Sequence, residues 1–152
     1  MPTALTLTAL AGNLFDYWEL NFPLDVATAY PGVSLDTQNL AEWIDLEIPE
    51  FSPCVGRDSS PSRSEILLKV NVFVRRSTDL ARINALAEAA LAVISRVTIP
   101  LYTPDSIETL LGYVQLLEGR VQNQTRQDRE SRSHDLQHVA IAVKGIVQEA
   151  GG

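Results

Sequence analysis

The sequence predicts an α+β domain in which a mixed or mostly antiparallel β-sheet is packed by an N-terminal helix and a central helix, with a long charged hairpin near the C-terminus. Three observations carry this reading. Glu65 to Arg75 places Ile66, Leu68, Val70, Val72 and Val74 on one unbroken period-two face rich in β-branched residues. Directly after it, Leu80, Ile83, Ala87, Ala90, Ile94 and Val97 recur in steps of three and four, the period of a helix. Two later stretches, Tyr113 to Gln122 and His138 to Val147, alternate again and flank a wholly polar segment. One core is enough for 152 residues, because single domains commonly run to roughly 100 to 200 residues. Residues 1–152 are therefore read as one domain.

Each element has its own signal. From Thr3 to Phe22, Leu7, Leu10, Leu14 and Trp18 form an apolar stripe with Asp16 and Glu19 off it, which predicts an amphipathic helix stopped by Pro23. Leu24 to Tyr30, ending at the Pro31-Gly32 turn, is a short strand or an extended connector, with the strand favoured. Leu40 to Pro49 sets Leu40, Glu42, Ile44, Leu46 and Ile48 against Ala41, Trp43, Asp45 and Glu47, so one side faces the core and the other is acidic. Phe51 to Ser64, with prolines, a glycine, serines and no apolar period, reads as an exposed, flexible loop. The strand Glu65 to Arg75 should be central. The next helix has Ser77 or Thr78 as its cap and Asp79 near its positive end, and its alanines allow a close packing partner. Pro100 and Pro104 punctuate a segment with little pattern. The last two strands enclose Asn123 to Asp135, read as an exposed hairpin tip projecting toward a partner or simply into solvent.

Charge is distributed unevenly. No lysine or arginine precedes Arg57, while eight of the nineteen carboxylates do; the other eleven face all twelve bases, so residues 57–152 sum to about +1 and the net charge of -7 arises upstream. Such asymmetry fits a protein whose two surfaces meet different partners, or whose copies meet head to tail; a plain scarcity of bases in an acidic domain gives the same count. Two basic spots, Arg75 with Arg76 and Arg126 with Arg129 and Arg132, are candidate interface residues. Arginine suits planar, two-pronged pairing, so the carboxylates Glu42, Asp45, Glu47 and Glu50 of a neighbouring copy are their candidate partners. Trp18, Trp43 and Tyr17 are candidate anchors, although burial is the commoner fate of an aromatic.

Signals for chemistry are sparse. A lone Cys54 forms no internal disulfide, and one cysteine with two histidines gives no zinc spacing, so a reducing compartment is expected. His134 and His138 fall on one side of a strand without a third ligand, and the serines and Cys54 have only these two histidines as bases. Glu42 should point away from Asp45 and Glu47 on a regular strand, and no calcium loop, phosphate loop or dinucleotide fingerprint occurs. The expectation is no catalytic, cofactor or metal site. Net acidity argues against tight nucleic-acid binding. The N-terminal apolar residues are interrupted well short of the roughly 18 needed to span a bilayer, so no export signal or membrane anchor is expected.

The order of these segments resembles a known family. A helix leads to the Trp-bearing strand AEWIDLEI, a polar loop, the long strand EILLKVNVFVRR and, at once, the helix STDLARINALAEAALAVI. The strand-to-helix junction from Val70 to Asp79, and the later patterns Gly119 to Val121 and Val139 to Val143, are similar to those of the tail-terminator and tail-completion proteins of long-tailed bacteriophages. That resemblance implies a ring, commonly of six copies, which caps the tail tube, ends its polymerisation and offers a docking surface to the neck or head-completion protein. It implies no catalysis and no cofactor, a place in the virion after assembly in the host cytoplasm, and DNA that passes through the lumen without being bound. The segment Ile99 to Gly112 is longer here than the family's usual connection. Other neck, head-completion or tail-tube ring proteins share the pattern. A small dimeric ligand-binding regulatory domain is a reading from another class, and it would need a pocket near Tyr102 and Tyr113.

Overall fold

Helix α1 (Leu7–Asn21) opens a chain that continues through β1 (Ala27–Ala29), β2 (Glu42–Cys54), β3 (Arg63–Arg75), α2 (Ala81–Ile94), β4 (Val97–Thr103), β5 (Ser106–Leu116), β6 (Arg120–Asn123) and β7 (Leu136–Glu149). These elements come from a computed structural model that describes residues 6–33, 35–54, 63–75, 80–103, 106–124 and 136–149. The strands form one mixed sheet in the order β1-β2-β3-β7-β5-β4, with β6 beside β7. Only β1 and β2 run parallel; the other pairs are antiparallel. The α+β expectation holds, and β3 is central, with β2 on one side and β7 on the other.

Both helices lie on one face of the sheet. There the period-two residues of β3 meet Ile44 and Leu46 of β2, Val139, Ile141, Val143 and Val147 of β7, and Val114 and Leu116 of β5. Leu10, Leu14 and Trp18 of α1 and Ile83, Leu86, Ala87, Ala90 and Ile94 of α2 close over them. Burial of these aliphatic side chains, each about 1.5–3 kcal/mol, is the main stabilising term. The gap in the β7 stripe is Gly145, which leaves space for Ile66, Leu116 and Val114.

Local chemistry fixes the element ends. The Thr6 hydroxyl accepts from the Ala9 amide at 3.1 Å and caps α1. Asn13, one turn further on, donates to the Tyr102 carbonyl at 2.8 Å and accepts from the Tyr102 amide at 3.0 Å, so its amide acts as a strand partner for the outer edge of β4. Leu80 is the N-cap of α2 and gives no side-chain cap bond; Ser77 and Thr78, the expected caps, lie outside the described residues.

Three expectations are corrected. Phe51 to Ser64 is not loop at its ends, because the β2–β3 ladder continues to Cys54↔Arg63 after a register shift between Glu47 and Glu50. Backbone pairing, which side-chain periodicity does not report, extends both strands; residues 55–62 lie outside the described set. Val97 is not the last residue of the helix. Arg96 takes a left-handed φ of 57° and its amide donates to the Leu117 carbonyl, turning the chain directly into β4. The patternless segment after it is thus a strand. Pro100 is tolerated there because β4 ends the sheet, where a missing N–H costs least. The expected tip, Asn123 to Asp135, begins where β6 ends, and 125–135 lie outside the described residues.

Candidate functional site

Among the described residues, no helix lies on the second face of the sheet, and the strand alternation decides what it presents. Residues out of phase with the core stripe are Trp43, Asp45 and Glu47 on β2, Lys69, Asn71, Phe73 and Arg75 on β3, and His138, Ala140, Ala142 and Lys144 on β7. Register places Trp43 opposite Phe73 and Phe73 opposite His138. The three rings stack across three strands, with centroids 5.0 Å apart at 18° and 4.3 Å apart at 21°. The Arg75 guanidinium lies 5.1 Å from the Trp43 ring centroid, completing the row as a cation–π contact.

One register step away lies a polar row. Asn71, only 6% exposed, is the one buried polar residue among those described. Its side-chain amide donates to Glu47 Oε1 at 3.3 Å, and its oxygen lies 2.9 Å from His138 Nε2. A carbonyl oxygen only accepts, so His138 presents Nε2–H here. Lys69 Nζ is 3.8 Å from the same Glu47 oxygen. Burial, and secondarily the Glu47 charge, raises the carboxyl pKa of Asp45. Of the acids on this side of β2, Glu47 is therefore the one met by a base of β3, Lys69.

Glu42 occupies the opposite face, as the alternation predicts, and there it meets α2. Arg82 Nε donates to its Oε2 at 2.8 Å, and Nη2 donates to Oε1. These bonds hold the Glu42 pKa below its usual range. Arg75, a candidate interface base, also donates to the carbonyls of Thr37 at 3.4 Å and Gln38 at 3.5 Å. Glu50 is exposed beyond the register shift. Of the remaining candidates, Arg76, Arg126, Arg129 and Arg132 lie outside the described residues. Trp18 and Trp43 are buried, and Tyr17 donates its hydroxyl to the Val93 carbonyl at 3.2 Å.

Sequence reasoning missed Asn71, Arg82 and Asn13. An uncharged amide set between Val70 and Val72 in β3 was the available signal for Asn71. Nothing local marked the other two, whose partners lie 40 and 89 residues away. Where β5 passes into β6, an open concavity of about 610 Å³ is bounded by Leu67, Leu117, Arg120, Gln122, Ala142 and Lys144. A second, of about 210 Å³, continues from it toward Glu50 and Glu65. Neither Tyr102 nor Tyr113 lines either one. Among the described residues, no cluster of three or more His, Cys, Asp or Glu side chains could hold a metal ion. No helix among them is long and apolar enough to cross a membrane.

The fold has solved counterparts. A chain from a structure of the virion of a native gene transfer agent particle superposes with a TM-score of 0.64 at 12% identity, covering 96% of this chain and 99% of that one. A second solved chain, whose name carries no functional description, gives a TM-score of 0.60 at 13% identity, covering 95% of this chain and 94% of the other. At such identities the shared property is the fold. No protein-family model matches the sequence, and no curated protein does.

Proposed function

We propose that this chain is a structural protein of a phage-like virion, and within it a tail terminator that assembles as a ring on the end of the tail tube. The observation that carries this reading is the end-to-end likeness to a chain of a gene transfer agent virion, which covers nearly the whole of both chains. The segment order that resembles tail terminators supports the finer role independently of that superposition. Its partners would be further copies of itself, six in the closed ring, the tail-tube protein on one side and a neck or head-completion protein on the other. DNA would pass through the lumen without specific binding. The role is non-catalytic and needs no cofactor or metal, and the protein would reside at the tail–neck junction after assembly in the host cytoplasm.

Mass measurement of the purified protein over a concentration series at low and high salt, with negative-stain imaging, tests the reading. Closed single rings that weaken with salt are the expected result, because exposed ion pairs are screened at high ionic strength. Long tubes would reassign the chain to a tube role. A compact, salt-insensitive dimer would overturn the virion reading in favour of a ligand-binding domain.

A further inference from the structure

The sheet has four outer edges, and they are treated differently. On β4, Pro100 lacks an N–H and Asn13 occupies both backbone groups of Tyr102. On the far half of β2, the register shift between Glu47 and Glu50 and the prolines Pro49 and Pro53 interrupt a regular edge. On β6, among the described residues, no proline or register shift interrupts the edge, and its four residues are all exposed. The Gln124 amide donates to the His138 carbonyl at 2.8 Å, so by alternation Gln122 faces β7 and the backbone groups of Val121 point outward. At the other end of the sheet, no described strand lies beyond β1.

These two edges stand in the same row. Gln122 pairs with Ala140, Ala140 with Asn71, Asn71 with Asp45, and Asp45 with Ala29. Counting strand directions along that row, β3 and β6 run one way while β1, β2 and β7 run the other. A neighbouring copy in the same orientation therefore brings its β1 antiparallel to β6 at matching height.

We infer that copies of this chain join through these edges, β6 of one copy pairing antiparallel with β1 of the next, so that the sheet continues from subunit to subunit. The inference rests on the ring reading above and says which surfaces close the ring. Side chains on both faces agree with it. On the helix-covered face, Val121, 51% exposed, comes opposite Tyr30 of the next copy, whose ring packs 5.1 Å from Phe15. On the helix-free face, Arg120 stands in the row of Glu47, through Ala142 and Lys69. In the next copy β1 ends before that row, so Arg120 faces Glu47 across two strand spacings of roughly 4.8 Å each, within the reach of an arginine. Asp45 is one row away. Among the described residues, Arg120 has no carboxylate within ion-pair distance in its own chain. The acidic upstream third thus meets a base from the downstream part, and the contact is heterologous, the type that closes into rings.

Paired cysteines test the joint. In a Cys54→Ser background, Gln122→Cys combined with Ala29→Cys places thiols on opposite partners of an antiparallel pair, close enough for a disulfide. Mild oxidation of the assembled protein is expected to give a ladder of covalent oligomers on denaturing gels, absent from either single variant. Rings seen by imaging without that ladder would overturn the joint and leave the ring reading standing. Absence of any assembly across the concentration series would overturn both. A second variant needs no chemistry: Val121→Pro removes an outward N–H and no bond to β7, so it should abolish assembly with the monomer's melting temperature kept within a few degrees. Persistence of rings in this variant also overturns the joint.

Discussion

The two faces of the sheet are held by different physics, although the same strands build both. On the helix-covered face, aliphatic side chains from five strands and two helices interdigitate, and burial is what stabilises the arrangement. On the helix-free face, a stacked row of Trp43, Phe73 and His138 lies beside a hydrogen-bonded row of Glu47, Asn71 and His138. With no described helix layered on it, this face relies on flat rings that shield one another and on polar groups that satisfy one another. The lesson is that one face tolerates little change in volume while the other tolerates little loss of partners.

The largest break in this contrast should come from the covered face. Ile141→Ala empties a fully buried site and is expected to cost ~2–5 kcal/mol in urea unfolding. Its neighbour Ala142 points the other way, into the open concavity, so Ala142→Val should change stability by less than about 0.5 kcal/mol. A loss from Ala142→Val as large as that from Ile141→Ala would show the uncovered face to be packed as tightly as the core.

Next in size is Asn71→Ala. It leaves His138 Nε2–H without its acceptor and takes a donor from Glu47, and should cost about 1–3 kcal/mol, the penalty of a poorly solvated group without its partner. Asn71→Asp keeps the acceptor for His138 while adding a charge beside Glu47, so thermal melts of the two variants separate loss of a partner from repulsion.

The smallest effects lie in two acids on opposite faces of β2, and they have opposite signs. Bonds from Arg82 lower the pKa of Glu42, so its contribution is present above the ordinary glutamate range and disappears as pH falls through the lowered value. Glu42→Gln should therefore destabilise at pH 7 and become neutral in acid. Burial raises the pKa of Asp45, so the folded state holds that proton more tightly than the unfolded chain does. Stability then falls as pH rises from the ordinary aspartate range to the raised value, and the penalty is complete above it. Asp45→Asn should give a small gain at pH 7 that vanishes below the ordinary aspartate range. Chemical unfolding midpoints measured from pH 3 to 8 check both; equal signs would mean that the two faces do not differ electrostatically as described.

Read alone, the sequence determined the elements whose signal is a repeating side chain: the β3 stripe from Ile66 to Val74, the Leu10, Leu14 and Trp18 stripe of α1, the Val139 to Val147 face of β7, and the opposite pointing of Glu42 and Asp45. Periodicity is a local property, set by how each side chain must alternate or rotate to reach one core. Only the tertiary structure decided the rest. Strand β4 around Pro100, the extension of β2 to Cys54, the turn at Arg96 and the partners of Asn13, Asn71 and Arg82 depend on backbone or side-chain bonds to residues distant in the chain. The matched edges of β6 and β1 are of the same kind: strand direction and row follow from four successive ladders, and no segment carries that sum by itself.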